Sequence, residues 1–259
     1  MFKSPKNNAL IDEIRDFSNL NELLKIHDRA WHDRPLLRET YYHFFSLIKD
    51  EIHKIQGGTI LEVGSGISKI KDIIPQCVTS DYSKTVYADK IENVYGLSYS
   101  DGSLSTVIMV DVFHHLKYPY CALSEIYNKL LPSGKLIILE PAMSLLGKFI
   151  YGHFHHEPLG LNLTIDRNAV IGKTSQLEYY AAQGNAWRIF QKNEYHDTFE
   201  EWSRINVKLL VAADYMVSGG FTGRKLFPWK SAAFLRAIEK IPHFFKKLIA
   251  TRMLIVMTK

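Results

Sequence analysis

The residues best placed to hold a ligand form one short turn after an apolar run. Glu62 is followed closely by two glycines, Gly64 and Gly66. Because glycine lacks a Cβ and adopts positive φ freely, such a turn lets a ligand lie against the backbone. A dinucleotide-binding turn would need a third glycine where Lys69 stands, and the Gly-Lys-Ser/Thr of a P-loop does not follow. The spacing therefore predicts a ligand-binding turn of a different class.

Two pairs of histidines are candidates for proton transfer. His114 and His115 follow an apolar run, and His155 and His156 precede Glu157 in an aromatic-rich stretch. Imidazole titrates near neutral pH and is therefore suited to act as a general base. We predict that His115, His155 or His156 is the base, with a purely structural cluster as the alternative. Adjacent side chains on a helix do not converge, so we expect no metal site in this stretch.

Further segments make the glycine turn part of a larger pattern. Asp81 ends the next apolar run, and residues 97–104 contain an Asp-Gly-Ser turn. Residues 110–116 contain the His-His pair, and residues 130–136 read Leu-Leu-Pro-Ser-Gly-Lys-Leu. With the Glu-Val-Gly-Ser-Gly turn, these segments resemble the class I S-adenosylmethionine-dependent methyltransferases over about residues 57–141.

The resemblance implies that the chain binds S-adenosylmethionine and transfers its methyl group. Asp81 would accept hydrogen bonds from both ribose hydroxyls, and Asn93 stands where the family usually has an adenine-binding aspartate. Ser68 is the third small residue of the turn, at a position where the family usually has Gly, and is a candidate cap for the helix that follows. The cofactor-binding residues implied in this way are Glu62, Gly64, Ser65, Gly66, Asp81, Tyr82, Asn93, Val94, Asp111 and Val112.

Apolar runs with strand character alternate with helical segments along the chain. The predicted strands are Thr59–Val63, Cys77–Ser80, Ile91–Tyr95, Thr106–Val110, Lys135–Glu140, Val207–Ala212 and Arg252–Thr258. Apolar, non-alternating strands separated by helices indicate a parallel sheet that is covered on both faces. With the resemblance, this predicts an α/β fold built on a Rossmann-like, seven-stranded, mostly parallel sheet.

We expect one methyltransferase domain over residues 1–259. An N-terminal helical cap (1–56) precedes the cofactor-binding core (57–141). A helical or irregular insertion (142–200) is expected to overhang the carboxyl ends of the strands and to bind the acceptor. The last part (201–259) would contribute two strands and a basic helix.

Positive charge is concentrated near the C-terminus. The net charge is +5, while residues 222–259 hold nine basic residues and one acidic residue. An apolar stripe runs through this basic segment: Phe234, Leu235, Ile238, Ile241, Phe245, Leu248 and Ile249. The stripe predicts either a core helix on the sheet or a peripheral contact with an anionic membrane surface. Without a nucleic-acid-binding motif, we expect no nucleic-acid partner.

These observations lead to one functional expectation and one alternative. The chain opens without an apolar signal segment, and its two cysteines lack metal spacing, so we expect a cytoplasmic protein. The His-His-Glu-Pro and Ser-Gly-Gly-Phe segments resemble enzymes of bacterial surface-polysaccharide synthesis. We therefore expect methylation of a small-molecule or lipid-linked glycan acceptor. The alternative is a non-catalytic, methyltransferase-like protein that binds the cofactor and regulates.

Overall fold

The computed structural model describes residues 20–52, 57–155, 157–172, 179–192, 194, 199–221, 223 and 232–259. The strands in these ranges are β1 (Thr59–Val63), β2 (Val78–Asp81), β3 (Lys90–Ile91), β4 (Leu104–Val110), β5 (Leu130–Pro141), β6 (Arg204–Leu210) and β7 (Arg252–Thr258). The α-helices are α1 (Leu20–Asp33), α2 (Pro35–Glu51), α3 (Pro119–Lys129), α4 (Leu145–Phe154), α5 (Ala213–Ser218), α6 (Ala232–Ala237) and α7 (His243–Ile249). Short 3₁₀ turns lie at Lys69–Asp72, Phe113–His115 and Ile238–Lys240, and a π-helical turn lies at Trp187–Gln191.

The strands form one sheet in the order β3-β2-β1-β4-β5-β7-β6. β7 is antiparallel to both of its neighbours, and the other neighbouring pairs are parallel. Because β1 lies between β2 and β4, the strand order reverses at β1. In such sheets ligands bind beyond the carboxyl ends of the strands at this point of reversal. The predicted α/β fold, with a Rossmann-like, seven-stranded, mostly parallel sheet, is confirmed.

Helices cover both faces of the sheet. On one face, α2 buries an apolar stripe at helical spacing that includes Leu37, Phe44 and Ile48. On the other face, Ile126 of α3 packs in the same cluster as Phe190 from the insertion. The N-terminal helical prediction is confirmed from residue 20 to residue 51, and its earlier part lies outside the described residues.

The insertion after β5 contains α4 and is otherwise largely irregular. Ser144 caps α4, since its Oγ accepts a hydrogen bond from Gly147 N at 3.0 Å. Further along, Ala182 N donates to the carbonyl oxygen of His114 at 2.9 Å. This backbone bond fastens the insertion to the segment that follows β4, and so places the insertion beyond the carboxyl ends of the strands.

Two predictions about the cofactor-side turns were wrong. The strand predicted at Ile91–Tyr95 ends at Ile91, because Asn93 Oδ1 accepts from Tyr95 N at 3.0 Å and closes a turn instead. Ser68 was expected to cap the following helix. It adopts a left-handed conformation (φ 55°), and in the described part of the chain its side chain makes no cap hydrogen bond.

Three strands begin earlier than predicted. β4 starts at Leu104 rather than Thr106. β5 starts at Leu130 rather than Lys135, because Leu130 already pairs with Leu104 of β4 before the register shifts. β6 starts at Arg204 rather than Val207, where Arg204 pairs with the end of β7. Residues at the end of a strand can join the sheet through backbone pairing even where the side chains are not a continuous apolar run. The apolar pattern of the sequence therefore underestimates the length of these strands.

The apolar stripe in the basic segment divides into two sets. Leu235 is buried, and Ile238, Ile241 and Ile249 pack around it. Phe234, Phe245 and Leu248 are exposed. Part of the stripe is therefore core and part faces outward. Among the described residues, no helix is both long enough and apolar enough to cross a membrane.

Candidate active site

A cavity of about 1670 Å³ lies at the carboxyl edge of the sheet. Its wall includes the turn after β1, the end of β2, the segment after β4, one face of α4 and parts of α1 and α2. Typical small-molecule sites have volumes of about 300–1,000 Å³. This cavity therefore has room for two ligands side by side.

The turn after β1 admits no side chain at its first glycine. Gly64 has a φ of +69°, and a Cβ at this position would lie 2.5 Å from the side chain of Val112. Gly66 has a φ of +52°, and its N–H donates to Asp81 Oδ2 at 3.2 Å. Ser65 ties the turn to β2, since its N–H donates to Ser80 O at 2.9 Å. The result is a rigid backbone cradle at one end of the cavity.

Glu62 supplies an unsatisfied acceptor beneath this cradle. Its side chain lines the cavity and is only 4% exposed. Among the described residues, none donates a hydrogen bond to Glu62 Oε2. Burial raises the pKa of Glu62 to about 8. A ligand that brings a cationic amine or an N–H donor would satisfy this oxygen, and the methionine end of S-adenosylmethionine carries such an amine.

Asp81 is a second carboxylate on the same wall. It accepts hydrogen bonds from Gly66 N and, at 2.8 Å, from Tyr82 N. Burial raises the pKa of Asp81 above its usual value despite these bonds. A carboxylate accepts at two oxygens and can bind paired hydroxyls, so Asp81 suits a ribose. Tyr82 lines the cavity beside it.

The predicted adenine end is formed by the turn after β3. Val94 lines the cavity there, and so does Glu92, which was not predicted. Glu92 is buried and accepts hydrogen bonds from the N–H and the hydroxyl of Ser98. The oxygen of Asn93 accepts from its own turn, as described above, so its assignment to the adenine amino group stays a prediction.

Asp111 lines the cavity and forms an ion pair with the buried Arg252. Its φ is 57°, and both of its oxygens accept hydrogen bonds from Arg252, with Nη2 to Oδ2 at 2.7 Å. Tyr41 also donates to Asp111 Oδ2 at 3.0 Å. Burial raises the pKa of Asp111, but the Arg252 charge outweighs it and the pKa lies below its usual range. The side chain of the next residue, Val112, occupies the space that a Cβ on Gly64 would need.

Arg252 was not predicted as part of the site. It is the first residue of β7, is 1% exposed, and carries its charge 4.4 Å from the ring centre of Tyr215. In the sequence it was one of many basic residues near the C-terminus. Its position at the start of an apolar strand was the available signal, since a buried arginine needs a carboxylate partner.

His114 is held between two carboxylates. Its Nδ1 lies 2.6 Å from Glu140 Oε2, and its Nε2 lies 3.4 Å from Glu157 Oε2. Glu140 is fully buried and also accepts from Phe113 N at 2.6 Å. Burial alone would lower the pKa of His114, but the two carboxylates raise it to about 10. His114 is therefore a fixed positive charge at neutral pH rather than a base.

His115 has the opposite character. Its Nδ1 lies 2.9 Å from the carbonyl oxygen of Tyr180, which can only accept, so Nδ1 carries the hydrogen. Burial and the neighbouring His114 charge lower the pKa of His115. The neutral ring then has its lone pair on Nε2, which lies 3.6 Å from Glu157 Oε1. A neutral imidazole on the cavity wall has the properties of a general base.

Glu157 connects the two histidines to the insertion. Its carboxylate accepts from Tyr179 Oη at 3.0 Å and from Gln183 Nε2. Burial opposes ionisation, but the hydrogen bond from His114 outweighs it and the pKa of Glu157 lies far below its usual value. The ring of His155 accepts from Glu157 N at 3.3 Å through Nδ1. This carboxylate therefore stays charged over the working pH range.

The structure places two of the three predicted histidines at the cavity. His115 and His155 both line its wall, and His156 lies outside the described residues. Nδ1 of His155 already accepts a backbone hydrogen bond, so a neutral His155 presents a protonated Nε2. His115 is thus the better placed base of the two.

One group of side chains has the composition of a metal site. Ligand atoms of His114, His115 and Glu157 lie within 4.8 Å of one another. This set differs from the 153–157 stretch considered in the sequence, because the fold brings Glu157 to the histidines after β4. A proton on His114 between two carboxylates accounts for the same arrangement.

The comparisons with known proteins agree with this geometry. Residues 61–138 match the sequence model of a family described as Methyltransferase domain. That segment extends from β1 into β5 and contains the cradle, Asp81 and the His114–His115 pair. No curated protein matches the sequence significantly.

Solved structures share the fold at low sequence identity. A SAM-dependent methyltransferase from Thermotoga maritima, described as a possible histamine N-methyltransferase, is 15% identical with a TM-score of 0.56. The match covers 94% of this chain and 100% of that one. A phosphoethanolamine N-methyltransferase 2 from Haemonchus contortus, in complex with phosphomonomethylethanolamine and S-adenosylhomocysteine, is 12% identical with a TM-score of 0.47. That match covers 84% of this chain and about half, 53%, of the other. The chain therefore has the class I methyltransferase fold, and its core, residues 61–138, matches the methyltransferase-domain family.

Proposed function

We propose that the protein methylates a small-molecule or lipid-linked glycan acceptor, with His115 as the general base. One observation carries the proposal: a single cavity joins the glycine cradle to the neutral His115 ring. The donor and acceptor ends are thus parts of one continuous space, and its volume allows both ligands to be present together.

At the donor end, four residues would hold the cofactor. Gly64 and Gly66 allow the backbone to approach it, and the unpaired Glu62 oxygen would bind its amino group. Asp81 would accept from its ribose hydroxyls. When bound, this cofactor supplies an electrophilic methyl group, so the protein mainly needs to position the acceptor in line and exclude water.

At the acceptor end, His115 would remove the proton from the attacking hydroxyl or amine. The acceptor atom forms a bond to the methyl carbon as the carbon–sulfur bond breaks, and the proton passes to Nε2 of His115. Glu157, 3.6 Å from that nitrogen, would stabilise the imidazolium that forms. The fixed charge on His114 opposes this, but Glu140 balances it from the other side.

The glycan acceptor is the finer part of the proposal. It is supported by the resemblance of residues 155–158 and 218–221 to enzymes of bacterial surface-polysaccharide synthesis. In the structure both segments reach the cavity: His155, Glu157 and Pro158 line it from one, and Gly219, Gly220 and Phe221 from the other. Segments far apart in sequence that meet at one site are suited to recognise a substrate.

The proposal is tested by turnover with labelled S-adenosylmethionine. Candidate acceptors are sugar nucleotides, lipid-diphosphate-linked sugars and small amines, and the product is identified by mass. We expect label transfer to a sugar hydroxyl. Tight cofactor binding by calorimetry without transfer to any of these classes would favour the non-catalytic alternative. Transfer to an amine alone would refute the glycan part.

A further inference from the structure

Helix α4 presents apolar side chains to both the cavity and the outside. Leu146 and Ile150 line the cavity. One residue before each of them, Leu145 and Phe149 are 68% and 53% exposed. These pairs occupy neighbouring rows of one helix, since residues four apart share a face. Exposed large apolar side chains grouped in this way usually mark a binding surface.

Phe154 joins these two rows at the mouth of the cavity. It lines the cavity and is nevertheless 70% exposed. Its ring centre lies 5.9 Å from that of Phe149. An apolar path therefore runs from the outer surface of α4, past Phe154, into the acceptor end of the cavity.

Helix α7 extends the same surface. It packs against α4, where a Cβ on Gly147 would lie 3.2 Å from the carbonyl oxygen of Ala250. Phe244, Phe245 and Leu248 of α7 are 71%, 53% and 41% exposed. Two neighbouring helices thus turn aromatic and aliphatic side chains outward. We call this surface, formed by the outer sides of α4 and α7, the outer face.

The charges on the two helices have one sign. Neither α4 nor α7 contains an aspartate or a glutamate, and together they carry Lys148, Lys246 and Lys247. Lys246 is partly engaged, because its Nζ lies 3.2 Å from Glu239. Exposed apolar side chains interspersed with lysines, without acidic residues, complement an anionic bilayer surface rather than a neutral one.

We propose that the outer face docks on an anionic lipid bilayer and that the acceptor is lipid-linked. Phe149, Phe245 and their neighbours enter the interfacial layer, while the lysines contact lipid phosphates. Docking sets the cavity mouth at Phe154 against the bilayer, so that the head group of an anchored acceptor reaches His115. The second part rests on the proposed function, whereas the docking itself does not.

Vesicle co-sedimentation tests the docking. The full chain is mixed with vesicles of phosphatidylcholine alone or of equimolar phosphatidylcholine and phosphatidylglycerol. We expect binding to the anionic vesicles to be tighter by about tenfold or more, and to weaken with salt. The Phe149→Ser/Phe245→Ser variant and the Lys148→Glu/Lys247→Glu variant should each lose about tenfold in this binding. None of these four residues lines the cavity.

A matched control removes exposed apolar side chains elsewhere. Ile91 lies in β3, at the opposite edge of the sheet from β6, and Val86 lies in the segment before β3. Val86 and Ile91 are 87% and 57% exposed. Val86→Ser/Ile91→Ser should bind anionic vesicles as the unchanged protein does. Equal binding by all variants, or no binding to anionic vesicles, would overturn the proposal. So would a dimer in solution that the outer-face substitutions dissociate, since a second copy would then occupy the face.

Methyl transfer is measured separately on the same variants. With an acceptor embedded in vesicles, the outer-face variants should turn over about tenfold more slowly. With a detergent-dispersed acceptor they should match the unchanged protein, because their cavity is intact. Vesicle binding without transfer to any acceptor would refute the proposed function while supporting the docking. Equal rates on embedded acceptor would refute the lipid-linked delivery.

Discussion

The two ends of the cavity are built in different ways. The donor end is largely backbone: Gly64 leaves no space for a Cβ beside Val112, and Ser65 N donates to Ser80 O of β2. The acceptor end is made of side chains from distant segments, with His114 bonded to a residue 26 positions away and His115 to one 65 positions away. Backbone geometry is common to every chain with this fold, whereas side chains can be exchanged. The donor end should therefore resist change and the acceptor end should set specificity.

The comparison is tested most severely where the two ends meet, at Arg252. Arg252→Met leaves Asp111 charged and only partly exposed, with the hydrogen bond from Tyr41 but without its cationic partner. Breaking one side of a buried pair costs about 3–5 kcal/mol, and because the Asp111 side chain is 27% exposed, we expect a loss at the lower end of this range in the free energy of unfolding. Urea denaturation measures it. The control is Lys25→Met, which removes an exposed, solvent-screened pair with Glu22 and should leave the free energy of unfolding nearly unchanged.

If Arg252→Met and Lys25→Met lowered the free energy of unfolding equally, the Arg252–Asp111 pair would not be a structural link between the donor and acceptor ends. Adding Asp111→Asn to Arg252→Met should recover part of the stability, because the uncompensated charge is then removed. Cofactor affinity measured on this double variant reports whether the Asp111 charge itself contributes to the donor end.

At the acceptor end, replacing His115 should affect turnover without affecting the donor. His115→Gln removes the base, and we expect kcat to fall by about a hundredfold with cofactor affinity unchanged. His155→Gln is the matched control, since His155 also lines the cavity, and we expect it to retain most of kcat. Steady-state kinetics and calorimetry give the two quantities. Because a neutral His115 is the active form and its pKa is lowered, activity of the unchanged protein should fall only on the acid side of the ordinary histidine pKa.

Two results would contradict the assignment of His115 as the base. A slow His155→Gln and an unaffected His115→Gln would move the base to His155. If turnover disappeared with a chelator and returned with Zn²⁺, we would conclude that a metal ion, rather than a proton, lies between His114 and Glu157.

The donor end should be sensitive to a single methyl group. Gly64→Ala places a Cβ 2.5 Å from Val112 at a φ of +69°. Gly102→Ala has nearly the same conformation, φ +62°, and no atom of the described residues lies within 4 Å of the new Cβ. Both variants pay a conformational cost of about 1–2 kcal/mol, so their difference isolates the contact with Val112. We expect Gly64→Ala alone to lose about tenfold or more in cofactor affinity by calorimetry. Equal affinity in the two variants would show that the cradle tolerates a side chain.

The same contrast explains what the sequence could predict. The residues assigned to the donor end came from the family resemblance, which rests on local motifs: Glu62, Gly64 and Asp81 stand at or next to the ends of apolar strands. The strands could be predicted from their apolar runs. The prediction for β3 extended too far, because the side chain of Asn93 closes a turn that the apolar pattern does not reveal. Turns of this kind depend on one hydrogen bond.

The acceptor end and the central ion pair could be predicted only in part. His115 and His155 were recognised as candidates by residue type. That Glu157 would lie between His114 and His115 depends on the path of the insertion, which no periodic pattern describes. Arg252 lies 141 positions from Asp111, and composition alone counted it with the surface lysines. Contacts between distant segments follow from tertiary packing, so their residue types were visible and their partners were not.

The smallest expected effect is a pH dependence at the donor end. Burial raises the pKa of Glu62 to about 8, above the value of 4.5 for an unperturbed glutamate. The folded protein therefore binds a proton more tightly than the unfolded chain does. The stability from the protonated form is fully present below the unfolded pKa and is lost as pH rises through about 8. A cationic amine of the cofactor favours the ionised carboxylate, so cofactor affinity should change in the opposite direction and tighten several-fold towards pH 8. Glu62→Gln should flatten both profiles, in calorimetry and in thermal unfolding, while leaving the pH dependence contributed by His115 in place. A profile that Glu62→Gln does not change would separate this carboxylate from the cofactor and leave the backbone cradle and Asp81 as the whole of the donor end.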